Sequence, residues 1–316
     1  MPKNKIQFQR GLSLNAFLSS YGTEQRCWEA LFHLRWPNGF ICPGCGHKEY
    51  GTIATRKLLQ CKQCHRQTSV ISGTLFASTN LPLTIWCLGI YLITQSKDGI
   101  SSLNLARHLG ISANAALRMK HKLQQAMKNI DESSPLPGFI VQLDDAYWGG
   151  KKHDGRRGRG ATGKTPFLAA VSTNLKGHPI AMRLSRVKDF TSTEINRWAS
   201  KHLSGYSLVA TDALGCFAGV GYAGFAHEAI LASGDSMADA RRVFKWVNTM
   251  IGNVKNDLRG TYHAVSRKHL PRYLAEFCYR FNRRFNLGIM IRHLAQAALH
   301  SLPIPQHLLS RAENWW

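Results

Sequence analysis

Apolar side chains recur at helical spacing near the start of the chain, at Leu14, Phe17, Leu18 and Tyr21 and again at Cys27, Trp28, Leu31, Phe32 and Leu34. Recurrence at i, i+3, i+4 and i+7 marks one face of a helix, so residues 12–35 predict two short helices ending at Trp36-Pro37-Asn38-Gly39. The pattern then lapses, and residues 66–75 read as a strand. Helical spacing resumes from Leu81 to Met127. Pro82 suits the first turn of a helix running to about Gln95, where a missing N–H costs nothing. Leu103 and Ala106 start a further amphipathic helix, Leu109-Gly110-Ile111-Ser112 is a turn, and Ser112 caps a second helix carrying Ala116, Met119 and Leu123. After the linker Ser133-Ser134-Pro135-Leu136-Pro137-Gly138 the period becomes strand-like. Residues 139–148, 167–173 and 178–187 predict three strands, the last two joined at Lys176-Gly177. Thr191-Ser192-Thr193-Glu194 is a capping box opening a helix to about Leu203. Strands at 207–211 and 226–232 and helices at 238–258 and from Pro271 to about Phe285 complete an α/β half.

Charge changes the picture more than size does. The chain has 316 residues, enough for two or three small domains with at least one sizeable core. Its 41 Lys+Arg against 18 Asp+Glu leave a net charge of +23, which favours a polyanion partner, usually nucleic acid. A membrane surface is the competing partner. The longest apolar stretch, Leu81 to Thr94, is too short to span a bilayer and contains Pro82, so no membrane partner is expected. The start MPKNKIQFQR has no apolar segment of a secretory signal. Cys27, Cys87, Cys216 and Cys278 are isolated and read as small buried hydrophobes. Together these features suggest a reduced, cytoplasmic protein.

The other four cysteines carry chemistry. Cys42, Cys45, Cys61 and Cys64 form two C-x-x-C pairs with fifteen residues between Cys45 and Cys61, the spacing of a structural zinc site. Each C-x-x-C turn aims two thiolates at one metal, and two turns complete a tetrahedron. Large apolar residues between the pairs are few, so the metal would supply the folding energy, roughly 10–16 kcal/mol in isolated finger peptides. Two disulfides are the other reading of the spacing. His47 and His65 are spare candidates beside the pairs. Further on, glycine in a short turn between two amphipathic helices is the signature of a helix-turn-helix. Its second helix is expected to expose Arg118, Lys120, His121 and Lys122, basic residues that could meet phosphates or base edges. A helical hairpin with a solvated charged face is the plainer reading.

In the α/β half, Asp144 lies in the first strand beside Asp145, and Asp212 follows the fourth. Functional side chains converge at strand ends in such sheets. Two carboxylates from neighbouring strands could hold Mg²⁺ with substrate phosphates, and a pair of ions about 3.5–4 Å apart supports in-line attack on a phosphodiester. Helix caps or surface charges are the plainer reading of two such residues. Two basic regions suit phosphate contact. One is the glycine-rich loop with Lys151, Lys152, Arg156, Arg157, Arg159 and Lys164, and the other is Arg280-Phe281-Asn282-Arg283-Arg284-Phe285, with Arg283 and Arg284 as the DNA contacts. A helix with Phe281 and Phe285 in the core and solvated arginines is the alternative for the second.

Six stretches together resemble one family: RWPNGFICPGCG; LPLTIWCLGIYLI with GISSLNLARHLGIS; VQLDDAYWGGKK; VATDALG; WVNTMIGNVKNDLRGTYHAV; and RYLAEFCYRFNRRF. In order over roughly residues 30–290, they resemble ISXO-like insertion-sequence transposases, which have an N-terminal zinc ribbon and a DDE-type, RNase H-like catalytic domain. The resemblance implies acidic ligands at Asp144 and Asp212 and a third position at Asn248, 36 residues after Asp212, followed by Lys255. This is the Asp-Asp-Asn-Lys branch, with Mg²⁺ or Mn²⁺ on Asp144, Asp212 and Asn248 and Lys255 at a phosphate. Asn248 and Lys255 share a helix face, since seven residues make nearly two turns, and Gly252 between them could admit sheet or substrate backbone. An Asn satisfied by backbone and a solvated Lys are the alternative, and Asp235, Asp239 and Glu228 are backup third ligands.

The resemblance further implies an α/β, RNase H-like mixed sheet flanked by helices. The expected order is a helical segment (1–37), zinc ribbon (38–78), helix-turn-helix (79–132), catalytic domain (138–300) and C-terminal tail (301–316). It implies double-stranded DNA as partner, at element ends and target, with a homo-oligomer on DNA. A non-enzymatic DNA-binding regulator on the same scaffold and a basic RNA-binding scaffold are the other function classes.

Overall fold

A computed structural model describes residues 11–149, 163–231 and 243–312. The chain divides into two compact units: residues up to Ala126 together with Arg283–Arg311, and Met127–Asn282. No helix among the described residues is long and apolar enough to cross a membrane.

In the first unit, α1 (Leu14–Tyr21) and α2 (Glu24–Arg35) each begin on a hydroxyl cap. Ser13 accepts from the Ala16 N–H at 3.2 Å and Thr23 from the Arg26 N–H at 3.3 Å. Three short strands follow, β1 (Tyr50–Ile53), β2 (Leu58–Cys61) and β3 (Gln67–Thr68), in an antiparallel sheet of that order. The strand expected over 66–75 stops at Thr68. The Arg35 guanidinium collects the carbonyls of Ser69, Val70 and Ser72 at 3.0, 2.7 and 2.7 Å. Three carbonyls can converge on one group only if the chain curls. Helix α3 (Leu83–Gln95) starts after Pro82, which offers no side-chain cap, and the Glu24 carboxylate accepts the Leu83 and Thr84 N–H groups instead.

Helix α4 (Ser102–Leu109) is capped by Ser101 and closed by Gly110 at φ +62°, the left-handed cap that glycine fills without strain. Ser112 caps α5 (Ala113–Glu132) through the Ala115 N–H, as expected. Leu105, Ala106 and Leu109 are buried, whereas Leu103, expected to start the buried face, is 61% exposed. Gly89 on α3 permits the close packing here, since a Cβ would stand 2.5 Å from the Met119 sulfur. The helix Met290–His300 packs on α2 and α3, and the Ala298 carbonyl accepts from the Leu75 N–H. Residues 283–300, expected in the catalytic domain, therefore belong to the first unit. Their apolar stripe fits any half-open core, and nothing in its spacing says which.

The second unit contains β4 (Ile140–Trp148), β5 (Thr165–Thr173), β6 (Pro179–Arg186), α6 (Ser192–His202), β7 (Leu208–Asp212), α7 (Ala218–Tyr222), β8 (Ala226–Ile230), α8 (Lys245–Asp257) and α9 (Leu270–Asn282). The sheet order is β6-β5-β4-β7-β8. β5 runs antiparallel to both β4 and β6, and β7 runs parallel to β4 and β8. This is a mixed α/β, RNase H-like sheet, as the resemblance implied. Alternation along the strands serves two cores. Ala146, Trp148, Ala169, Met182 and Ala210 pack under Val247, Met250 and Val254 of α8 and Leu274 and Cys278 of α9. Val141, Leu143, Leu168 and Val209 pack under Ile195 and Trp198 of α6 and Val220 of α7.

Beneath α8, Arg280 bonds Glu276 at 2.5 Å and Asp257 at 2.9 Å, and the Tyr262 hydroxyl donates to Glu276 at 2.9 Å. Arg280, Glu276 and Asp257 are all buried at the side chain. Removing one member leaves buried charge uncompensated, so Arg280→Met should cost about 3–5 kcal/mol. A urea titration checks this, and a midpoint unmoved from wild type would refute it.

Candidate active site and metal centres

The two cysteine pairs sit on matching turns. Cys42 N–H donates to the His47 carbonyl and Cys61 N–H to that of Arg66, at 2.9 and 3.0 Å. Gly46 and His65 close the turns by donating to the Cys42 and Cys61 carbonyls, and both have positive φ, +77° and +54°. The sulfurs of Cys42 and Cys64 lie 3.6 Å apart, as do those of Cys45 and Cys61. All four lie within 4.8 Å of one another. A tetrahedral ion with Zn–S near 2.3 Å requires sulfurs about 3.8 Å apart, so the residues fit zinc. The Gly44 N–H on its sulfur lowers the Cys42 thiol, whereas at Cys45 the His47 N–H does not offset burial and the neighbouring sulfurs, which push that thiol up. His47 and His65 are not among the clustered ligands.

The acidic site is made where β4 and β7 part. Their last paired rung is Gln142 against Ala210. Asp144 and Asp212 each lie two residues beyond it, which keeps both on the face covered by α8. Carboxylate oxygens of Asp144, Asp145 and Asp212 lie within 4.8 Å of one another, and all three residues are half-buried. Asp145, set beside Asp144 in the sequence without a role, is thus part of the cluster. Backbone N–H groups fix two of the carboxylates: Asp145 N–H donates to Asp144 at 2.8 Å and Leu214 N–H to Asp212 at 3.2 Å. The buried Thr211 hydroxyl donates to the Asp212 carbonyl at 2.7 Å and lies 2.8 Å from His227 Nε2, bracing the strand end. Three clustered carboxylates repel one another, and an all-oxygen donor set of this kind suits a hard divalent cation.

Lys255 is half-buried on α8. Burial lowers its ammonium pKa and Arg259 adds to that, while Asp144 and Asp145 act in the opposite direction. The lysine therefore shares the electrostatic neighbourhood of the acids. Asn248 is exposed in the first turn of α8, and its side-chain amide has no hydrogen-bond partner among the described residues. A Cβ on Gly252 would meet nothing within 4 Å. Among the described residues, the sheet does not approach there.

Gln142 was not singled out by sequence reasoning. It is buried, and its side-chain oxygen accepts from the N–H groups of Trp246 and Val247, at 3.1 and 3.0 Å, in the first turn of α8. The strand that carries Asp144 thereby caps the helix that carries Asn248 and Lys255. A polar side chain at an inward strand position was the available signal. Gln142→Leu should orphan two N–H groups, destabilise by about 2 kcal/mol and slow any metal-dependent nicking at least tenfold. Gln142→Glu keeps an acceptor and should restore both. Equal nicking rates for the leucine and glutamate variants would dismiss the cap.

Comparison with known proteins matches both halves of the chain. Residues 135–282 match the ISXO2-like transposase domain, and residues 22–67 match the transposase zinc-ribbon domain. In that order along the chain, the two matches make it similar to an ISXO2-like transposase domain behind a transposase zinc ribbon. It is also similar to an uncharacterized protein in transposable element ISH50 of Halobacterium salinarum, 25% identical over 133 residues. The match covers 41% of this chain and 44% of that relative, so the chain spans under half of the relative it matches. The transposase zinc ribbon, with its four clustered cysteines, supports a structural zinc ion.

The basic residues expected on DNA divide sharply. Arg118 is exposed. Lys120 is fully buried and donates to the Ile100 carbonyl, and Lys122 is half-buried, donating to the Leu75 carbonyl at 3.0 Å. His121 is buried as well. The expectation that this helix exposes all four is therefore corrected. Lys120 lies four residues after Ala116 and three before Leu123, on the buried stripe itself. Lys151, Lys152, Arg156, Arg157 and Arg159 lie outside the described residues, as do Asp235 and Asp239. Lys164 is half-buried and close enough to Lys255 to lower its pKa. Arg283 is half-buried, and Arg284 lies over the Phe285 ring at 4.1 Å with its pKa brought down to about 10 by burial. Phe281 packs against the transposase-domain core and Phe285 is exposed. Glu228 is exposed on β8 and is not in the acidic cluster.

Proposed function

We propose that this protein is a DNA transposase that cuts at the ends of its own insertion sequence and transfers the freed strand to target DNA. The carrying observation is the meeting of Asp144, Asp145 and Asp212 where β4 and β7 part, with Lys255 in their field. Asp144 and Asp212 would hold Mg²⁺ or Mn²⁺, and Asn248 would complete the site with a neutral amide oxygen. Bound divalent cations would supply Lewis-acid stabilisation of the phosphodiester and a more acidic attacking water or hydroxyl. Lys255 places a positive charge against a phosphate oxygen as negative charge builds there. Water attacks the phosphodiester at the element end and breaks its P–O3′ bond, freeing a 3′-hydroxyl. That hydroxyl then attacks a target phosphodiester, forming a new P–O bond as the target's own 3′-oxygen leaves. Neither step needs a covalent protein intermediate.

The zinc ribbon and the α4–α5 helix-turn-helix bind the element ends, with Lys164, Arg283 and Arg284 and the basic residues 151–159 on DNA backbone. Paired ends call for two active sites, so the protein assembles as a homo-oligomer on double-stranded DNA, in the cytoplasm. The test is cleavage of a plasmid carrying the gene's native flanking ends by purified protein, with and without Mg²⁺ or Mn²⁺. Metal-dependent nicks at the element boundary are expected. Tight binding without cleavage under either metal would replace this reading with that of a non-enzymatic DNA-binding regulator.

A further inference from the structure

The inward turn of Lys120 and Lys122 leaves the second helix of the helix-turn-helix with a short list of groups that can reach a ligand. Over its first two turns the exposed residues are Ala113, Asn114 and Arg118, after the cap Ser112. Asn114 and Arg118 are four apart and so lie on one face, about 6 Å apart along the axis. Neither side chain makes a hydrogen bond, ion pair or ring contact within the described residues. Around Asn114 the first turn of the helix is slim, with alanine at 113, 115 and 116, and Leu117 is half-buried. A helix of about 10–12 Å diameter only just enters a major groove about 12 Å wide, so small flanking residues matter. On α4, Arg107 and His108 are exposed beside the Gly110 turn.

Resting on the transposase reading, we propose that Asn114 and Arg118 read the element-end sequence directly, and that Arg107 holds the adjacent phosphate backbone. The chemistry of the pair is complementary to bases. An exposed Asn amide bonds adenine N6 and N7 in bidentate fashion, and an Arg fork bonds guanine O6 and N7. Their spacing along α5 spans one or two base steps of about 3.4 Å. The recognised sequence thus contains an adenine and a guanine that are adjacent or separated by one base pair. Lys120 and Lys122 contribute nothing to base choice, because their ammonium groups are committed to the Ile100 and Leu75 carbonyls.

The experiment selects binding sites from a random duplex library with the full-length protein and its variants. Wild type should enrich a motif containing that adenine and guanine. Asn114→Ala should lose discrimination at the adenine and Arg118→Ala at the guanine, each by about 5- to 150-fold for a bidentate contact. Arg118→Lys keeps the charge but not the fork, so it should keep non-specific affinity and still lose the guanine preference. Arg107→Ala should weaken all sequences evenly and lower the salt slope by about one. Both recognition residues are exposed, and an unchanged melting temperature confirms that each variant folds. If the variants select the wild-type motif, or weaken every sequence evenly, the assignment is wrong and the transposase reading stands. If wild type binds no duplex DNA at all, both fall together.

Discussion

Asp144→Asn and Asp212→Asn should each abolish metal-dependent nicking while leaving the protein folded and bound to DNA. The expected loss is on the order of 10³-fold or more, about 4 kcal/mol of barrier. On the proposed reading, each substitution removes a charged ligand from a site whose third position, Asn248, brings no charge. The stability effect should have the opposite sign. Three carboxylates within 4.8 Å of one another repel when no cation is bound, so removing one charge should leave the melting temperature of the metal-free protein unchanged or raised. Added Mg²⁺ should stabilise wild type and not the variants. Full nicking by either variant would remove that residue from the site, whereas a sharp fall in melting temperature would make it structural. Asn248→Glu adds the missing charge and should tighten metal binding. If nicking persists in Asp145→Asn but not in Asp144→Asn, Asp145 belongs to the cluster's field and not to its ligand set.

Removal of zinc should unfold the ribbon. Cys61→Ser or a strong chelator takes away an ion worth roughly 10–16 kcal/mol in isolated fingers. What remains is a sheet of strands four, four and two residues long, too small to stand alone. Its other support is an aromatic row in which Trp36 meets Phe40 at 5.1 Å and Phe40 meets Tyr50 at 4.9 Å. Limited proteolysis should therefore cut first between residues 41 and 67, with a red shift in tryptophan emission as Trp36 loses its packing. The RNase H-like unit should remain resistant, since none of the four sulfurs lies in it. An unchanged digestion pattern after verified zinc loss would mean that the aromatic row alone holds the ribbon.

Whatever depends on neighbours in the chain was legible before any coordinates. Two C-x-x-C turns bring their own sulfurs together. Ser112 caps the helix that follows it, Gly110 supplies the left-handed turn, and alternating residues 140–148 declare a strand. Asp144 and Asp212 could be named because strand ends and family motifs agree, although periodicity alone does not bring two strands side by side. The tertiary structure decided the rest, through partners far apart in sequence. Gln142 is linked to Trp246 and Val247 more than a hundred residues away. Arg35 ended a predicted strand by drawing carbonyls to itself, and Asp257 found Arg280 across the turn between two helices. Lys120 and Lys122 show the same limit in reverse. Their charge suggested a DNA-facing surface, yet buried carbonyls at Ile100 and Leu75 needed donors. A backbone acceptor cut off from water costs more to leave unpaired than a long side chain costs to order, and only the packed fold shows where such acceptors lie.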